Sequence, residues 1–501
     1  MSDEIIEQNI NRDVHGKEYN RLLLIIAIIT GSFIAILNQT ILTTALPNLM
    51  NYFKIEASTV QWVTTAYMLT NGIMIPLTAL LLEKVPTKKL FMFSMLAFGL
   101  GTLACALSST FELLLVGRVI QAIGAGIMMP LINTVFLFVF PKEKRGFAMG
   151  LYGLVISFAP AIGPTLAGLV IDRWDWNYLF YLLIPIIVFD VIFSYFFMKD
   201  IIPSKNPKID VLSIMLSTLG FAPLLYGFSS AGSKGWGNPV VIITVVIGLL
   251  MSVLFVWRQL SMKNPMLELH VFKSGTFTLT TIVSSILSIA QVGASVMLPI
   301  FLQNILGKSA LESGLIFLPG ALLMAVVMMI SGRIFDKIGA KKLVIPGITL
   351  LIIASIPFAN MSIGMTATSI AIFYSIRYIG IGLVSMPLQT EGMNDLDNKL
   401  MPHATATVNM TKQISGSLGT AVLITMMSSF TTSNAPNQVL AKTNLALYKS
   451  QMLDATIKGM NTTFIYVIAV AVVALLFSSF LKSKKPEKPE LEVNIENNTA
   501  I

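Results

Sequence analysis

Apolar residues in this chain gather into long unbroken runs rather than alternating with polar ones. A run of about 20 such residues, wound as helix, spans the hydrocarbon layer of a bilayer. Runs of this length predict fourteen transmembrane helices, near 22–47, 58–82, 90–108, 112–138, 146–171, 178–198, 211–230, 239–259, 277–302, 313–335, 342–360, 367–390, 404–428 and 462–481. The thirteenth is the most polar, opening with Thr405, Thr407, Asn409, Thr411, Lys412 and Gln413. Its successor follows the longest loop, 429–461, which is polar with a weakly amphipathic stretch around Val439–Leu453. A hairpin and a helix lying on the membrane surface both fit that stretch. Residues 1–20 are polar and partly acidic, unlike a basic leader with a cleavage site, so the first run predicts a retained helix. The end of the chain, from KSKKPEKPE at 482 onward, is polar and predicts disorder.

Composition agrees with an all-α polytopic membrane protein. Of 501 residues, 55% are apolar and 12% charged, and the mean hydropathy is +0.78. Soluble domains carry about 25% charge. With the N-terminus inside, 24 lysines and arginines fall in inner segments and 7 in outer ones, leaving Arg118, Arg377 and Lys412 within spans. Cytoplasmic loops are enriched in these residues, so both termini are expected in the cytoplasm of a cell-membrane protein. The net charge of +9 then follows from topology and from anionic inner-leaflet lipid, and needs no nucleic-acid partner. One cysteine, Cys105, excludes an internal disulfide framework, and histidines at 15, 270 and 403 are too scattered to suggest a metal site. No phosphate-binding loop occurs: Gly307-Lys308-Ser309 has Leu302 where the first glycine would stand. The Gly-x-Gly pairs at 99/101, 124/126 and 380/382 sit inside spans. No cofactor is expected, and no convergent acid, base and nucleophile set suggests an enzyme. Energy would come from a gradient, at about 2.3 kcal/mol per charge per 100 mV and about 1.4 kcal/mol per pH unit.

Two stretches repeat. Ala79–Lys89 contains Glu83-Lys84-Val85-Pro86 and then Lys88-Lys89; Gly332–Lys342 contains Asp336-Lys337-Ile338-Gly339 and then Lys341-Lys342. Each sets an acid beside a base at a helix end, then a tight turn and two lysines. Duplicated six-span halves with two extra spans between them give this register, and such repeats are a common transporter design. The expected division is a tail at 1–21, a bundle at 22–198, a linker with two spans at 199–259, a second bundle at 260–481 and a tail at 482–501.

The second stretch resembles the G-x-x-x-D-[RK]-x-G-x-[RK] loop signature of the major facilitator superfamily. Arg118-Val-Ile-Gln121-Ala-Ile-Gly124-Ala-Gly126 resembles the fourth-span R-x-x-Q-G-x-G-x-G pattern. Ala159-Pro160-Ala-Ile-Gly163-Pro164-Thr-Leu-Ala167-Gly168 resembles the fifth-span antiporter signature, with alanine for two glycines. Trp174-Asp-Trp176 through Pro185 is similar to the element that follows it. The stretches Leu298–Gly320 and Asn409–Ala421 are similar to sequences of fourteen-span drug:proton antiporters. The resemblance covers roughly residues 22–480. It implies a major facilitator fold of two six-helix bundles plus two central helices, and export of lipophilic drugs or antiseptics by proton antiport with alternating access. Its partners would be amphipathic small molecules, protons and the bilayer, with a single chain as the working unit. Export or flipping of an endogenous lipid or amphiphile fits the same architecture. The chain departs from the family at Leu37-Asn38-Gln39-Thr40, where L-D-x-T is usual. Asparagine cannot carry a proton.

Charges within spans are costly and usually functional, which marks Arg118, Asp190, Arg377 and Glu391 as coupling candidates. A desolvated carboxyl can exchange its proton near neutral pH, so Asp190 and Glu391 lead. Amide, aromatic and methionine side chains that could line a cavity are Asn38, Gln39, Trp62, Tyr67, Asn71, Met74, Gln121, Met128, Asn133, Gln291, Met297 and Gln303. Methionine suits promiscuous apolar binding, and amides favour bulky neutral or amphipathic compounds over small ions. Glu83, Asp336 and Lys337 are expected to clamp helix ends, and Gly163, Pro164 and Gly168 to form a bent, closely packed gate.

Overall fold

Each apolar run becomes a helix because lipid offers no partner for backbone N–H and C=O groups. The computed structural model describes residues 11–481 apart from 56, 61, 172 and 204–209; the tail expected at 482–501 lies outside the described residues. Among the described residues fourteen helices are long and apolar enough to cross a membrane. They are α1 (Arg21–Phe53), α2 (Trp62–Lys84), α3 (Thr87–Ala106), α4 (Phe111–Val139), α5 (Arg145–Ile171), α6 (Tyr178–Phe197) and α7 (Val211–Lys234). Then follow α8 (Pro239–Ser261), α9 (Gly275–Ile300), α10 (Ala310–Ile338), α11 (Lys341–Ser355), α12 (Ala367–Asn394), α13 (Met401–Ser433) and α14 (Leu445–Ser478). Polar residues at the run boundaries start them. Asn20 accepts from the Leu22 and Leu23 amides, Thr110 from Leu113, and Ser309 with Glu312 forms a capping box. The expected loop at 429–461 is a correction. It is mostly helical: α13 runs on to Ser433, a short helix covers Gln438–Thr443, and α14 begins at Leu445, capped by Asn444. The tail before α1 is also partly regular, since Asn11–Arg12 pairs antiparallel with Glu18–Tyr19.

Helices α1–α6 pack together, as do α9–α14. The end of the bundles where α1 starts, rich in lysine and arginine, is here termed the basic end. The two sets meet along two seams, α5 against α10 and α2 against α13. Helix α7 lies over the second seam. Its Tyr226 stacks on Trp62 of α2 with ring centroids 5.7 Å apart, and Leu225 fills the space above Gly72. Just beyond the end of α7, Trp236 donates from Nε1 to Thr425 Oγ1 of α13 at 3.0 Å. Helix α8 packs behind α7 and turns Ile243, Val246, Leu250, Val253 and Trp257 outward.

A fork ties α7 to α8. Asp210 accepts from Arg258 Nε at 2.8 Å and Nη2 at 3.0 Å, and this pairing pulls its carboxyl down to about 2. A carboxyl held low stabilises the fold above its unfolded value of about 3.9 and loses that contribution as pH falls through the folded value. The hairpin is therefore expected to loosen between about pH 4 and pH 2. Tryptophan fluorescence should report the change, and an Asp210→Asn variant should be flat in that window.

Candidate functional site

The sequence places a cation, Arg118, in the apolar interior, and the fold surrounds it with acceptors. Its guanidinium is fully buried on α4. Nη1 donates to Asn38 Oδ1 of α1 at 2.5 Å and to Gln121 Oε1 at 2.8 Å; Nε donates to the Val63 carbonyl of α2 at 3.2 Å. Gln121 in turn donates to Thr102 of α3 at 2.8 Å. The Tyr67 ring lies 4.1 Å from the guanidinium carbon, a cation–π contact. Four helices are thus tied at one point, and the residue facing Arg118 is neutral Asn38. Arg377 stands at the related place in the second bundle, on α12. It donates to Ser355 Oγ at 3.2 Å and to the Ala290 carbonyl at 2.6 Å, and its Nη1 has no partner.

The two acids fall apart. Asp190 is fully buried on α6, with neither carboxyl oxygen hydrogen-bonded. It sits behind α1, where a Cβ on Gly31 would come within 3.2 Å of Oδ2, beside Phe91 and Met95. Charging it there costs several kcal/mol, with only the Ser194 hydroxyl one turn away to offset part of the cost. Glu391 is half-buried near the end of α12.

A cavity of about 230 Å³ lies between the bundles, lined by Gln39, Met68, Asn71, Ile75 and Met129 of the first and Asn409, Lys412 and Gln413 of α13. Of the twelve expected lining residues it takes Gln39 and Asn71. Asn38, Tyr67 and Gln121 are turned into the Arg118 cluster instead. Met128, Asn133 and Met297 are buried elsewhere in the bundles, and Met74 backs onto Gly126. Gln291 is half-buried on α9 away from the lining, Trp62 lies against α7, and Gln303 is exposed in a π-turn after α9. Asn409, Lys412 and Gln413 were not among the expected lining residues. Lys412 carried the same signal as Arg118, a charge inside a span.

The basic end of the cavity is shut. Along the α5/α10 seam a Cβ on Gly332 would lie 2.1 Å from the Gly146 carbonyl oxygen, and one on Gly150 would lie 2.6 Å from the Met328 carbonyl oxygen. Backbones therefore touch. Asp336 caps α5, accepting from the Gly146 and Phe147 amides at 3.0 Å each, and Arg145 donates to Asn394 and Asn398 of the facing bundle. Across the other seam, Glu83 Oε1 lies 3.3 Å from His403 Nε2. His403 Nδ1 accepts from the Glu268 amide at 3.3 Å, so the ring proton is on Nε2 and points at Glu83. His403, set aside as scattered, becomes visible only once the chain is folded. Lys337 is exposed on the surface, outside the clamp. Toward the opposite end the α5/α10 seam is looser, and Gly168 meets α10 only through a side chain, Leu311 Cδ1, at 3.9 Å from its Cβ position. Gly163 instead lets α5 approach Thr40 of α1, and the Pro164 side chain lies outside the described residues.

Comparison with known proteins bears on the whole chain. The Major Facilitator Superfamily model matches residues 28–420. An uncharacterized MFS-type transporter, YcnB of Bacillus subtilis, is 43% identical over 96% of this chain and 98% of its own. The lincomycin resistance protein LmrB of Listeria innocua is 40% identical over 94% of this chain and 98% of its own. The multidrug export protein EmrB of Escherichia coli is 29% identical over 81% of this chain and 80% of its own. Among solved structures, the human organic anion transporter MFSD10 shares the fold, with a TM-score of 0.62 at 14% identity, covering 90% of this chain and 99% of that one. With two bundles, a hairpin helix pair and a cavity clamped at one end, this chain is a transporter, a fourteen-helix member of the major facilitator superfamily.

Proposed function

We propose that the protein exports lipophilic or amphipathic drugs across the cytoplasmic membrane by alternating access, driven by proton antiport. The basic end faces the cytoplasm, in keeping with its lysines and arginines, and the tight backbone seam there supports an outward-facing reading. The observation that carries the reading is the cavity between two bundles that touch backbone to backbone at the basic end and meet only through a side chain at Gly168 toward the other. The relatives named for lincomycin resistance and multidrug export support the direction and substrate class.

With Asn38 unable to titrate, the proton needs another carrier. Asp190 is the better candidate, because its buried carboxyl has no cation beside it among the described residues and only the nearby Ser194 hydroxyl as a donor. Rocking of α1 against α6 would change its exposure. Glu391 sits where the closed end already holds it. Glu83, Asp336 and the glycines of α5 serve as latches of the outward-facing state.

Dye efflux from everted vesicles tests this. Asp190→Asn is expected to lose pH-driven efflux about 100-fold or more, within the range for a positioned proton-transfer group, while Glu391→Gln stays within twofold of the parent. Equal pH-driven efflux in all three proteins would remove both acids from coupling.

A further inference from the structure

We propose that the central cavity selects amphiphiles carrying a single negative charge, such as a carboxylate on an apolar body, and that Lys412 is the group that recognises the charge. The inference rests on the export reading and names the substrate class of the same cavity. Lys412 reaches the lining from the interior of α13, eleven residues or about 17 Å along the helix from Met401. Its ammonium has a neutral amide oxygen, Gln389 Oε1 at 3.3 Å, as its recorded hydrogen-bond partner. Among the described residues lining the cavity it alone is charged, so no carboxylate there balances it. One turn earlier, Asn409 Nδ2 is buried with no acceptor. Two donor side chains on one helix face therefore line the same space, the ammonium with one neutral acceptor and no carboxylate, the Asn409 amide with no acceptor. The facing wall is apolar where Met68, Ile75 and Met129 contribute, which suits the body of an amphiphile.

A half-buried cation without a counter-ion is costly, and inside a membrane it marks a substrate or ion path. A ligand carboxylate would satisfy the ammonium and the Asn409 amide at once. A ligand amine would meet like charge. The cavity thus discriminates by sign before it discriminates by shape.

Pyrenebutyric acid, its methyl ester and pyrenebutylamine share one apolar body and differ in charge. Their binding to the purified full chain in nanodiscs is read by fluorescence anisotropy, with empty nanodiscs subtracted. The parent should bind the acid at least about tenfold more tightly than the ester, the gain of one charge-assisted contact, and the amine most weakly. Lys412→Gln should remove the preference for the acid, Lys412→Arg should keep it, and Gln413→Glu, which adds a carboxylate to the same cavity lining, should also remove it. The proposal is overturned if the parent binds acid and ester alike, or if the preference survives in both Lys412→Gln and Gln413→Glu. Efflux of the three probes from everted vesicles reads the export function separately. Selective binding without efflux of any probe would sink export and leave the recognition site standing. Efflux with no charge preference would do the reverse.

Discussion

Gly332→Val is expected to cut dye efflux by about 10- to 100-fold without unfolding the protein. The side chain would meet the Gly146 carbonyl, which lies 2.1 Å from the Cβ position. That neighbour is backbone and cannot swing aside. Overpacking of this kind costs about 1–3 kcal/mol, and the cost falls only on the state in which α5 and α10 touch. A cost of that size lowers the share of the touching state by about 5- to 150-fold. Labelling separates this from general damage. Met68 lines the cavity and is 44% exposed, so Met68→Cys should be labelled by an impermeant maleimide from the outer face in the parent. In Gly332→Val the label should enter from the basic end instead. Unchanged efflux and unchanged labelling would mean that the glycine contact is packing without a gating role.

The Arg118 cluster makes a prediction about sign. Asn38→Asp puts a carboxylate where Oδ1 already accepts from Arg118 at 2.5 Å. In the parent it should raise the thermal midpoint, because a fully buried cation gains a counter-ion. Arg118→Gln alone is expected to cost about 3 kcal/mol, since Asn38, Gln121 and the Val63 carbonyl each lose a donor. On that background Asn38→Asp should destabilise further, leaving a buried charge unpaired. Thermal scans of the four proteins in detergent close the cycle. An effect of the same sign on both backgrounds would show that Asn38 and Arg118 are not coupled as the geometry implies.

The helices were legible in the sequence because lipid forces every spanning run to close its own hydrogen bonds. The exceptions have the same cause in reverse. Around 429–461 the helices project past the apolar layer, where water satisfies the backbone and composition no longer marks helix, so polar α13 and α14 turns read as loop. The site was legible by residue type but not by direction. Asn38 and Gln39 are adjacent, yet 3.6 residues per turn sets them about 100° apart. One therefore grips Arg118 while the other faces the cavity. On a helix apolar all round, no periodicity says which face is which. The Glu83–His403 contact joins residues 320 positions apart, and nothing local announces it.

Helix α7 touches both bundles along one flank, stacking Tyr226 on Trp62 and meeting α13 through the Trp236–Thr425 bond at its end. A solute dissolved in the bilayer meets a roof there, while the opposite flank, along α5 and α10, carries no such cover among the described helices. The two flanks are therefore sealed by different means: the added hairpin shields one, and direct backbone contact closes the other near the basic end.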